Sequence, residues 1–584
     1  MLTRQSLFGE SRLPDCAELL HRGRERARIV QVAPGAFLLR YGVDSEADYK
    51  RRAVAEKRVM QHAQIGFRDP EKSRRAWAEI YETCAKSGVR VDRYGVCLDW
   101  VMGLPRDRRK SISAGTGLIL DGPEDFARLA AAAPVAPHFG DFIMGFPAAV
   151  ENTEAALLAG ATAIGNLGQY FTFRLPYWDD DVATTAATVE ALALVAAQER
   201  EVLVHSNLDD GFAALLSDLA TVIGLVLVEK HIVEDLLGAH LAHCWGHHFS
   251  DPLRRLGFHL ALASISASPG TMVYGNTMSY RGSEAENHAS LASYLLTDIL
   301  GQMLRPSGHA VNPVPVTENS RIPDIDEVIA AQLFAARLIA HAKDHRALVD
   351  AAQPEAVAET MVTAGMEVRD NMLAGLAAAG IDTGNAFEML LALKRLGAKR
   401  IEELWGVGTR DPASPRGRRP VVEATLVEEI RVLAAERLAR VAPADREAFA
   451  KLAPDIVVAT TDVHEHGKLA LERALYELGA KVIDGGVSVD AEVLAETVRS
   501  TGGKAVLVST YNGIALDYVR ALKAALGGHA VPILVGGRLN QVPFGSNTSL
   551  PTDVSSQLAA EGAVVCGEIE DAVPSLLRLL GDRS

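Results

Sequence analysis

The chain has 584 residues and a formal net charge of -15, and 48% of its residues are hydrophobic while 23% are charged. This length exceeds what one hydrophobic core organises, so we expect two to four domains of an ordinary globular protein. The acidic balance argues against nucleic acid or an anionic membrane surface as a partner, because both are bound by clustered basic residues.

Cysteine usage and the apolar runs indicate the compartment. The five cysteines are scattered and form no C-x-x-C pair, a pattern that is not typical of disulfide frameworks or structural zinc sites. No apolar run reaches the length of a membrane span, and the opening "MLTRQSLFGESRL" lacks the apolar core of a signal peptide. We therefore expect a cytoplasmic protein with no membrane partner.

Residues 1–85 form a mixed N-terminal segment. The stretch "ARIVQVAPGAFLLRYG" (27–42) predicts strands, and "DPEKSRRAWAEIYETCAKSG" (69–88) predicts an amphipathic helix that ends at a glycine.

Residues 86–345 alternate between short apolar runs and Ala/Leu-rich helical stretches. The predicted strands are "VRVDRYGVCLD" (89–99), "APHFGDFIMG" (136–145), "ATAIGNLG" (161–168), "EVLVHSN" (201–207), "AHLAHCW" (239–245), "GTMVYGN" (270–276) and "SGHAVNPVPV" (307–316). Strand-helix alternation over this length predicts a (β/α)8 TIM-type barrel that serves as a substrate domain. A barrel of this kind carries its chemistry on the loops that follow the strands.

The rest of the chain divides into a helical part and a second α/β part. Residues 346–450 predict a helical region with a linker at "GVGTRDPASPRGRRPV" (406–421). Residues 451–584 predict five short buried strands that alternate with helices, which is typical of a doubly wound, flavodoxin-like sheet. Such a sheet binds ligands at the carboxyl ends of its strands.

The loop "TTDVHEHG" (460–467) joins the first of these strands to its helix. Neutral imidazole is a good ligand for cobalt, iron, zinc or copper, and an Asp two residues earlier can orient the ring. Gly467 would let a bulky ligand lie against the backbone. The pattern D-x-H-x-x-G is short, and by itself it fits a polar turn equally well.

The segments downstream of this loop carry a resemblance. "VIDGG" (482–486), "VLVSTYNG" (506–513) and "ILVGGRLN" (533–540) follow it in the order found in the cobalamin-binding domain of methylmalonyl-CoA mutase, glutamate mutase and methionine synthase, which this region resembles. The resemblance implies that His464 is the lower cobalt ligand, and that His466 is a solvated turn residue. The cobalamin-binding positions that it implies are Asp462, His464, Gly467, Ser509, Tyr511, Gly536 and Gly537.

The upstream region resembles the barrel subunit of glutamate (methylaspartate) mutase. A Gly-rich loop runs into an aromatic-x-x-Pro-Tyr stretch at "GNLGQYFTFRLPYWDDD" (165–181) and is followed by a long helix. This resemblance implies an adenosylcobalamin-dependent radical isomerase, a carbon-skeleton mutase with the barrel fused to its cobalamin domain. We expect a small carboxylate-bearing substrate and a homo-oligomer, a dimer. The catalytic candidates are Arg106, Phe173, Arg174 and Tyr177.

Each of these four candidates has an alternative interpretation. Arg106 and Arg174 offer guanidinium forks for a carboxylate, or form surface ion pairs. Phe173 and Tyr177 pack on the substrate, or only on the core.

The sequence also departs from the family's pattern. The arginine expected before "GFP" is absent, and His138 and Asp141 stand there instead, while Leu167 takes the place of an acidic residue. Asn312 or Glu318 would have to contact the adenosyl ribose. Further polar pocket candidates are Asn166 and Gln169, and a histidine cluster, for which pocket lining is favoured over a second metal, comprises His240, His243, His247 and His248.

Two other functions remain open from the sequence. A corrinoid-dependent methyltransferase would use the barrel to bind a methyl donor. A non-catalytic cobalamin sensor or carrier would not need the polar, Gly-rich and aromatic loops that follow the predicted barrel strands.

Overall fold

A computed structural model describes residues 2–10, 12–209, 216–247, 251–275, 277–318, 321–412, 414, 416–462, 465–542 and 550–581. It is a mixed α/β chain with parallel sheets and many helices. The strands are β1 His62–Ile65, β2 Arg93–Val96, β3 Ala136–His138, β4 Ala163–Ile164, β5 Leu203–Ser206, β6 His240–His243, β7 Met272–Val273, β8 Ala310–Val311, β9 Asp455–Thr460, β10 Lys481–Gly486, β11 Ala505–Thr510, β12 Ile533–Gly537, β13 Asn540–Gln541, β14 Thr552–Asp553 and β15 Val564–Val565.

The helices surround these strands. Those before residue 350 are α1 Arg4–Phe8, α2 Cys16–Ala27, α3 Ala36–Tyr41, α4 Glu46–Ala55, α5 Pro70–Lys86, α6 Arg106–Arg109, α7 Pro123–Ala130, α8 Ala149–Leu158, α9 Gln169–Thr172, α10 Asp181–Ala196, α11 Leu219–Lys230, α12 Pro252–Ile265, α13 Glu284–Leu304, α14 Ile325–Ala340 and α15 Ala342–Ala347. The later ones are α16 Ala352–Ala378, α17 Ala386–Trp405, α18 Thr425–Arg440, α19 Pro443–Leu452, α20 Glu465–Glu477, α21 Ala491–Thr501, α22 Ala515–Leu526, α23 Ser555–Ala560 and α24 Ile569–Gly581.

Strands β1–β8 belong to one arrangement, which we call the eight-strand region. They form three parallel sheets, β1-β2-β3, β4-β5-β6 and β7-β8. Isolated parallel bridges join these sheets in chain order, and the bridge between Gln61 and Val311 brings the last strand beside the first. The carboxyl ends of all eight strands therefore point to one side.

The N-terminal residues differ in part from the sequence prediction. Helix α5 confirms the predicted helix, with Asp69 as its N-cap and Gly88 beyond its end at φ +73°. The predicted strands at 27–42 are wrong, because this stretch holds no strand and ends in helix α3. The side chain of Gln198 satisfies its backbone instead, accepting from the N–H of Val32 and donating to the carbonyl of Val30.

Strands β9–β12 and β15 form a five-stranded parallel sheet with the order β10-β9-β11-β12-β15, which we call, with its helices, the five-strand region. This is the 2-1-3-4-5 order of doubly wound, flavodoxin-like sheets. Alternate residues of β9 and β11 enter two separate cores, one under α21–α23 and the other under α18–α20 and α24. Both faces of the sheet are therefore buried by helices, as expected for parallel strands.

The stretch predicted as a linker, 406–421, packs along the eight-strand region. The N–H groups of Val421 and Val422 donate to the carboxylate of Asp218, which also caps helix α11. Among the described residues, no helix combines the length and the apolarity that a membrane crossing requires.

Candidate functional site

The carboxyl ends of the two sets of strands enclose a cavity of about 390 Å³. From the eight-strand region it is lined by residues that follow β1, β2, β3, β4, β6, β7 and β8. From the five-strand region it is lined by Asp462, Ser488, Tyr511, Asn512 and Arg538, which follow β9, β10, β11 and β12. We call this space the interface cavity. It lies at the carboxyl ends of parallel strands, where α/β sheets place their ligands.

The loop after β9 sits at the point where the strand order of the five-stranded sheet reverses. Asp462 is buried, and its Oδ2 accepts the backbone N–H of Tyr511 at 2.7 Å and the hydroxyl of Thr461 at 3.2 Å. This carboxylate therefore ties the ends of β9 and β11 together. His464, the predicted cobalt ligand, lies outside the described residues.

His466 is not the solvated turn residue that the sequence indicated. It lies in the first turn of α20, is half-buried, and its Nε2 is 3.5 Å from a guanidinium nitrogen of Arg281 in the eight-strand region. Desolvation, and then the charge of Arg281, lower the pKa of His466 to about 3.

A second, narrower space of about 230 Å³ enters the five-strand region between α18, α20, α24 and the edge of β11 and β12. We call it the slot. Its walls are mainly apolar, and four of the predicted cofactor-binding residues line it, namely Gly467, Ser509, Gly536 and Gly537. Its volume lies below the roughly 300–1,000 Å³ of pockets that take a whole drug-sized ligand, so it suits a single ring system.

Glycines keep the slot open. A Cβ at Gly467 would lie 3.1 Å from the hydroxyl oxygen of Ser509, and one at Gly536 would lie 2.9 Å from the carbonyl oxygen of Cys566. Gly537 has φ +95°, a conformation that favours glycine. A flat ring could therefore lie against this backbone, and the residues present fit the nucleotide tail of a cobalamin.

The slot and the interface cavity share chain segments. Ser509 lines the slot, and Tyr511, two residues later, lines the cavity, with its ring 4.6 Å from the guanidinium carbon of Arg538. Gly536 and Gly537 line the slot directly before Arg538. A ligand in the slot would therefore reach the cavity over the ends of β11 and β12.

Arg174 joins the two regions of the chain. Its Nη2 lies 2.8 Å from Oδ2 of Asp490 and 2.5 Å from Oδ1 of Asp179. The other oxygen of Asp490 accepts the N–H of Tyr177 at 3.0 Å. Tyr177 has φ +59°, and its side chain is 45% exposed. The guanidinium of Arg174 is thus bound by carboxylates of the protein itself.

The other two catalytic candidates lie apart from each other. Phe173 lines the interface cavity and packs against Phe142 and Phe146, so it belongs to the apolar rim. Arg106 does not line the cavity. Its Nε lies 3.5 Å from Oε2 of Glu151, and its backbone N–H donates to Oε1 of the same residue. The geometry of Arg106 is therefore that of an ion pair.

Carboxyl and guanidinium groups both line the polar part of the cavity wall. Burial raises the pKa of Asp141 to about 6, against a hydrogen bond from Gln169 that lowers it. Burial likewise raises the pKa of Glu318 to about 7, against the charge of Arg538 that lowers it. Burial and then these two carboxyls raise the pKa of the Cys97 thiol to about 12. Raised pKa values in a cleft are typical of functional sites.

Other lining residues were missed by sequence reasoning. Gln64 lies in the last half of β1, Cys97 and Tyr274 directly follow β2 and β7, and Asp99 and Trp100 lie in the loop that Cys97 begins. A position at the carboxyl end of a strand is the signal that could have identified them. Among the histidines of the predicted cluster, His243 has its Nε2 3.0 Å from Oε2 of Glu229 inside the fold, while His247 stacks on Tyr274 and lines the cavity. His240 is exposed beside Glu201, and His248 lies outside the described residues.

No protein-family model and no curated protein matches this chain. Among solved structures, a novel cobalamin-binding protein from Desulfitobacterium hafniense DCB-2 matches 36% of this chain and 92% of its own chain, at 21% identity and a TM-score of 0.18. A TM-score of this size does not establish a shared fold.

Proposed function

We propose that this protein binds adenosylcobalamin between its two α/β regions and acts as a radical isomerase, a carbon-skeleton mutase, on a small carboxylate-bearing substrate. The observation that carries the proposal is the apolar, glycine-lined slot, which continues over the ends of β11 and β12 into the interface cavity. A cofactor with a tail and a wide reactive face needs these two spaces in contact.

The pairing of strands β1–β8 supports a (β/α)8 barrel as the substrate domain. Parallel register within the three sheets and the three bridges between them are what such a barrel requires. Its mouth would then cover the cavity from above.

Several residues of this chain would hold the cofactor. Gly467, Ser509, Gly536 and Gly537 would take the tail, and His464 would approach the cobalt, with Asp462 behind the loop. When bound, adenosylcobalamin supplies a 5′-deoxyadenosyl radical that abstracts hydrogen from a substrate.

The protein's own task is then positioning and exclusion of water. Trp100, Phe142 and Phe173 form an apolar rim around the cavity. The ion pair of Arg174 with Asp490 fixes this rim against the five-strand region. Closing a cavity in this way protects reactive species from water.

The first test is cobalamin binding. We expect the purified protein to bind adenosylcobalamin, and His464→Ala to change the visible spectrum of the bound cofactor. His466→Ala, two residues away on α20, is the matched control and should leave the spectrum unchanged. Binding without any response to His464→Ala would refute the ligand assignment, and no binding at all would refute the proposal.

The second test separates the possible reactions. Anaerobic incubation of the loaded protein with small acids should give a paramagnetic signal and hydrogen exchange between substrate and cofactor. Demethylation of methylcobalamin without formation of 5′-deoxyadenosine would instead identify a corrinoid methyltransferase. Cobalamin binding without either reaction would identify a sensor or carrier.

A further inference from the structure

Helix α18 forms one wall of the slot, although it precedes the first strand of the five-stranded sheet. The sequence assigns this helix to the helical region 346–450, outside the predicted cobalamin-binding domain. In the structure, Leu433, Ala434 and Arg437 of α18 line the slot together with residues of α20, β11, β12 and α24. The five-stranded sheet and the helices that follow its strands therefore do not make the slot alone.

Leu433 lies outside the face by which α18 packs. Four buried residues at a spacing of four along one side of the helix hold α18 in the fold, namely Leu426, Ile430, Ala434 and Leu438. Leu433 is half-buried and borders the mainly apolar slot. An apolar side chain beside an apolar space is stabilised by a ring that enters that space, because the contact removes apolar surface from water.

Ion pairs attach this part of α18 to the start of α24. Nη2 of Arg437 lies 2.8 Å from Oε1 of Glu568, and Nη1 lies 3.3 Å from Oε1 of Glu570. Arg437 and Glu568 both line the slot, and their side chains are 24% and 47% exposed. Leu433 and Arg437 are four residues apart and therefore share one face of the helix. The ion pairs thus hold that face beside the slot.

The first turn of α18 is bound to the eight-strand region. The hydroxyl of Thr425 donates to Oδ2 of Asp251, the N-cap of α12, at 2.7 Å. Directly before it, the N–H of Ala424 donates to the carbonyl of Ser217 at 2.9 Å. Helix α18 is therefore attached to the eight-strand region at one end and to α24 near the other, with Leu433 between the two attachments.

We propose that α18 is part of the cofactor site. Leu433 contacts the nucleotide tail of cobalamin in the slot, and Arg437 is a positioning residue that holds Leu433 there through Glu568 and Glu570. The inference rests on the proposed function, because it takes the cobalamin tail as the occupant of the slot.

Two corrinoids that differ in the nucleotide tail test the proposal. Adenosylcobalamin carries the tail and adenosylcobinamide lacks it, so only the first would occupy the slot. Leu433→Ala removes up to three carbons of contact, and it should lower the affinity ratio of cobalamin to cobinamide roughly five- to fiftyfold in absorbance titrations. The unfolding midpoint should not change, because Leu433 lies outside the packed face of α18. Val432→Ala, at the exposed neighbouring position, is the matched control and should leave the ratio unchanged.

Arg437→Met tests the positioning role. Cobalamin should be released about two- to fivefold faster, the range of a partly exposed salt bridge, while the release of cobinamide should not change. In the Leu433→Ala background the same substitution should have a smaller effect, because the contact that Arg437 positions has been removed. Arg431→Met, which breaks an exposed pair with Glu428 on the same helix, is the matched control.

Failure of this inference is distinguishable from failure of the proposed function. An unchanged affinity ratio in Leu433→Ala, or an effect of Arg437→Met that is the same with and without Leu433, would overturn the inference while cobalamin still binds. Binding of neither corrinoid by the unsubstituted protein would refute the proposed function, and this inference with it.

Discussion

The ion pair between Arg174 and Asp490 is one of the contacts between the eight-strand region and the five-strand region. Replacing Asp490 by alanine removes the contact to the guanidinium at 2.8 Å and the acceptor for the N–H of Tyr177 at 3.0 Å. The side chains of Asp490 and Arg174 are 10% and 33% exposed, so solvent screens the pair in part. We expect the free energy that stabilises this contact to fall by about 1–2 kcal/mol, a value between those for a charged hydrogen bond and for an exposed salt bridge.

Hydrogen exchange at the amide of Tyr177 reports this contact directly, because that N–H donates to Asp490. A loss of 1–2 kcal/mol corresponds to exchange that is roughly 5–30 times faster. Helix α21 should be unaffected, because the side chain of Asp490 makes no capping hydrogen bond to it. Glu496→Ala, which breaks an exposed pair with Arg499 on the same helix, should leave Tyr177 unchanged.

A double-mutant cycle completes the test. Arg174→Met and Asp490→Ala should together cost less than the sum of the two single changes, with a coupling free energy of about 0.5–2 kcal/mol. Unchanged exchange at Tyr177 in Asp490→Ala, or strictly additive effects in the cycle, would refute the assignment of this pair as a stabilising contact between the two regions.

Two further substitutions probe the slot and the cavity. Gly467→Leu should weaken cobalamin binding at least tenfold in an absorbance titration, because the leucine side chain would enter the slot beside Ser509. The unfolding midpoint should not fall, because leucine favours a helix more than glycine does. Asp141→Asn should raise the free energy of unfolding by roughly 1–3 kcal/mol above about pH 6 and leave it unchanged near pH 4, because the raised pKa of Asp141 means that its contribution is present at low pH and lost as pH rises through 6. Denaturant unfolding across this pH range measures the second effect, and an equal shift at all pH values would contradict it.

The alternating pattern of the sequence was sufficient for most elements, and its failures have physical causes. Strand β1 was not predicted, because His62 and Gln64 interrupt the apolar pattern. In the structure these polar side chains face each other at 3.0 Å, and Gln61 donates to the side chain of Gln332, so their polarity is satisfied inside the fold. The partner of Gln61 lies 271 positions away and cannot be read from a local window.

Helix α11 was missed for the opposite reason. "LATVIGLVLVEK" (219–230) is apolar on all sides and therefore has no amphipathic period. Gly224 packs against Val368 and Gly365 of α16, so this helix is covered on its outer face as well. The apolar composition of α11 is visible in the sequence, but its cause, burial under α16, is visible only in the structure.

The structure brings together those candidate residues that one turn or one pair of strands contains. Asp462 and Gly467 belong to one loop, and Ser509 and Gly536 are held opposite each other by parallel register. Arg174 could not be assigned in this way, because its partner Asp490 is 316 positions distant. In the folded chain the guanidinium of Arg174 is paired with carboxylates of the protein, which the sequence alone does not show.

The raised pKa of Asp141 leads to a further prediction about proton uptake. Two like charges 4 Å apart repel by about 4 kcal/mol at an effective dielectric constant of 20. Protonating a carboxyl whose pKa is about 6 costs only about 1.4 kcal/mol at pH 7. A dicarboxylate that places one carboxylate beside Asp141 would therefore bind with uptake of a proton. Calorimetry in two buffers that differ in ionisation enthalpy measures the number of protons taken up, and glutarate binding to the cobalamin-loaded protein without proton uptake would contradict a position of the ligand beside Asp141.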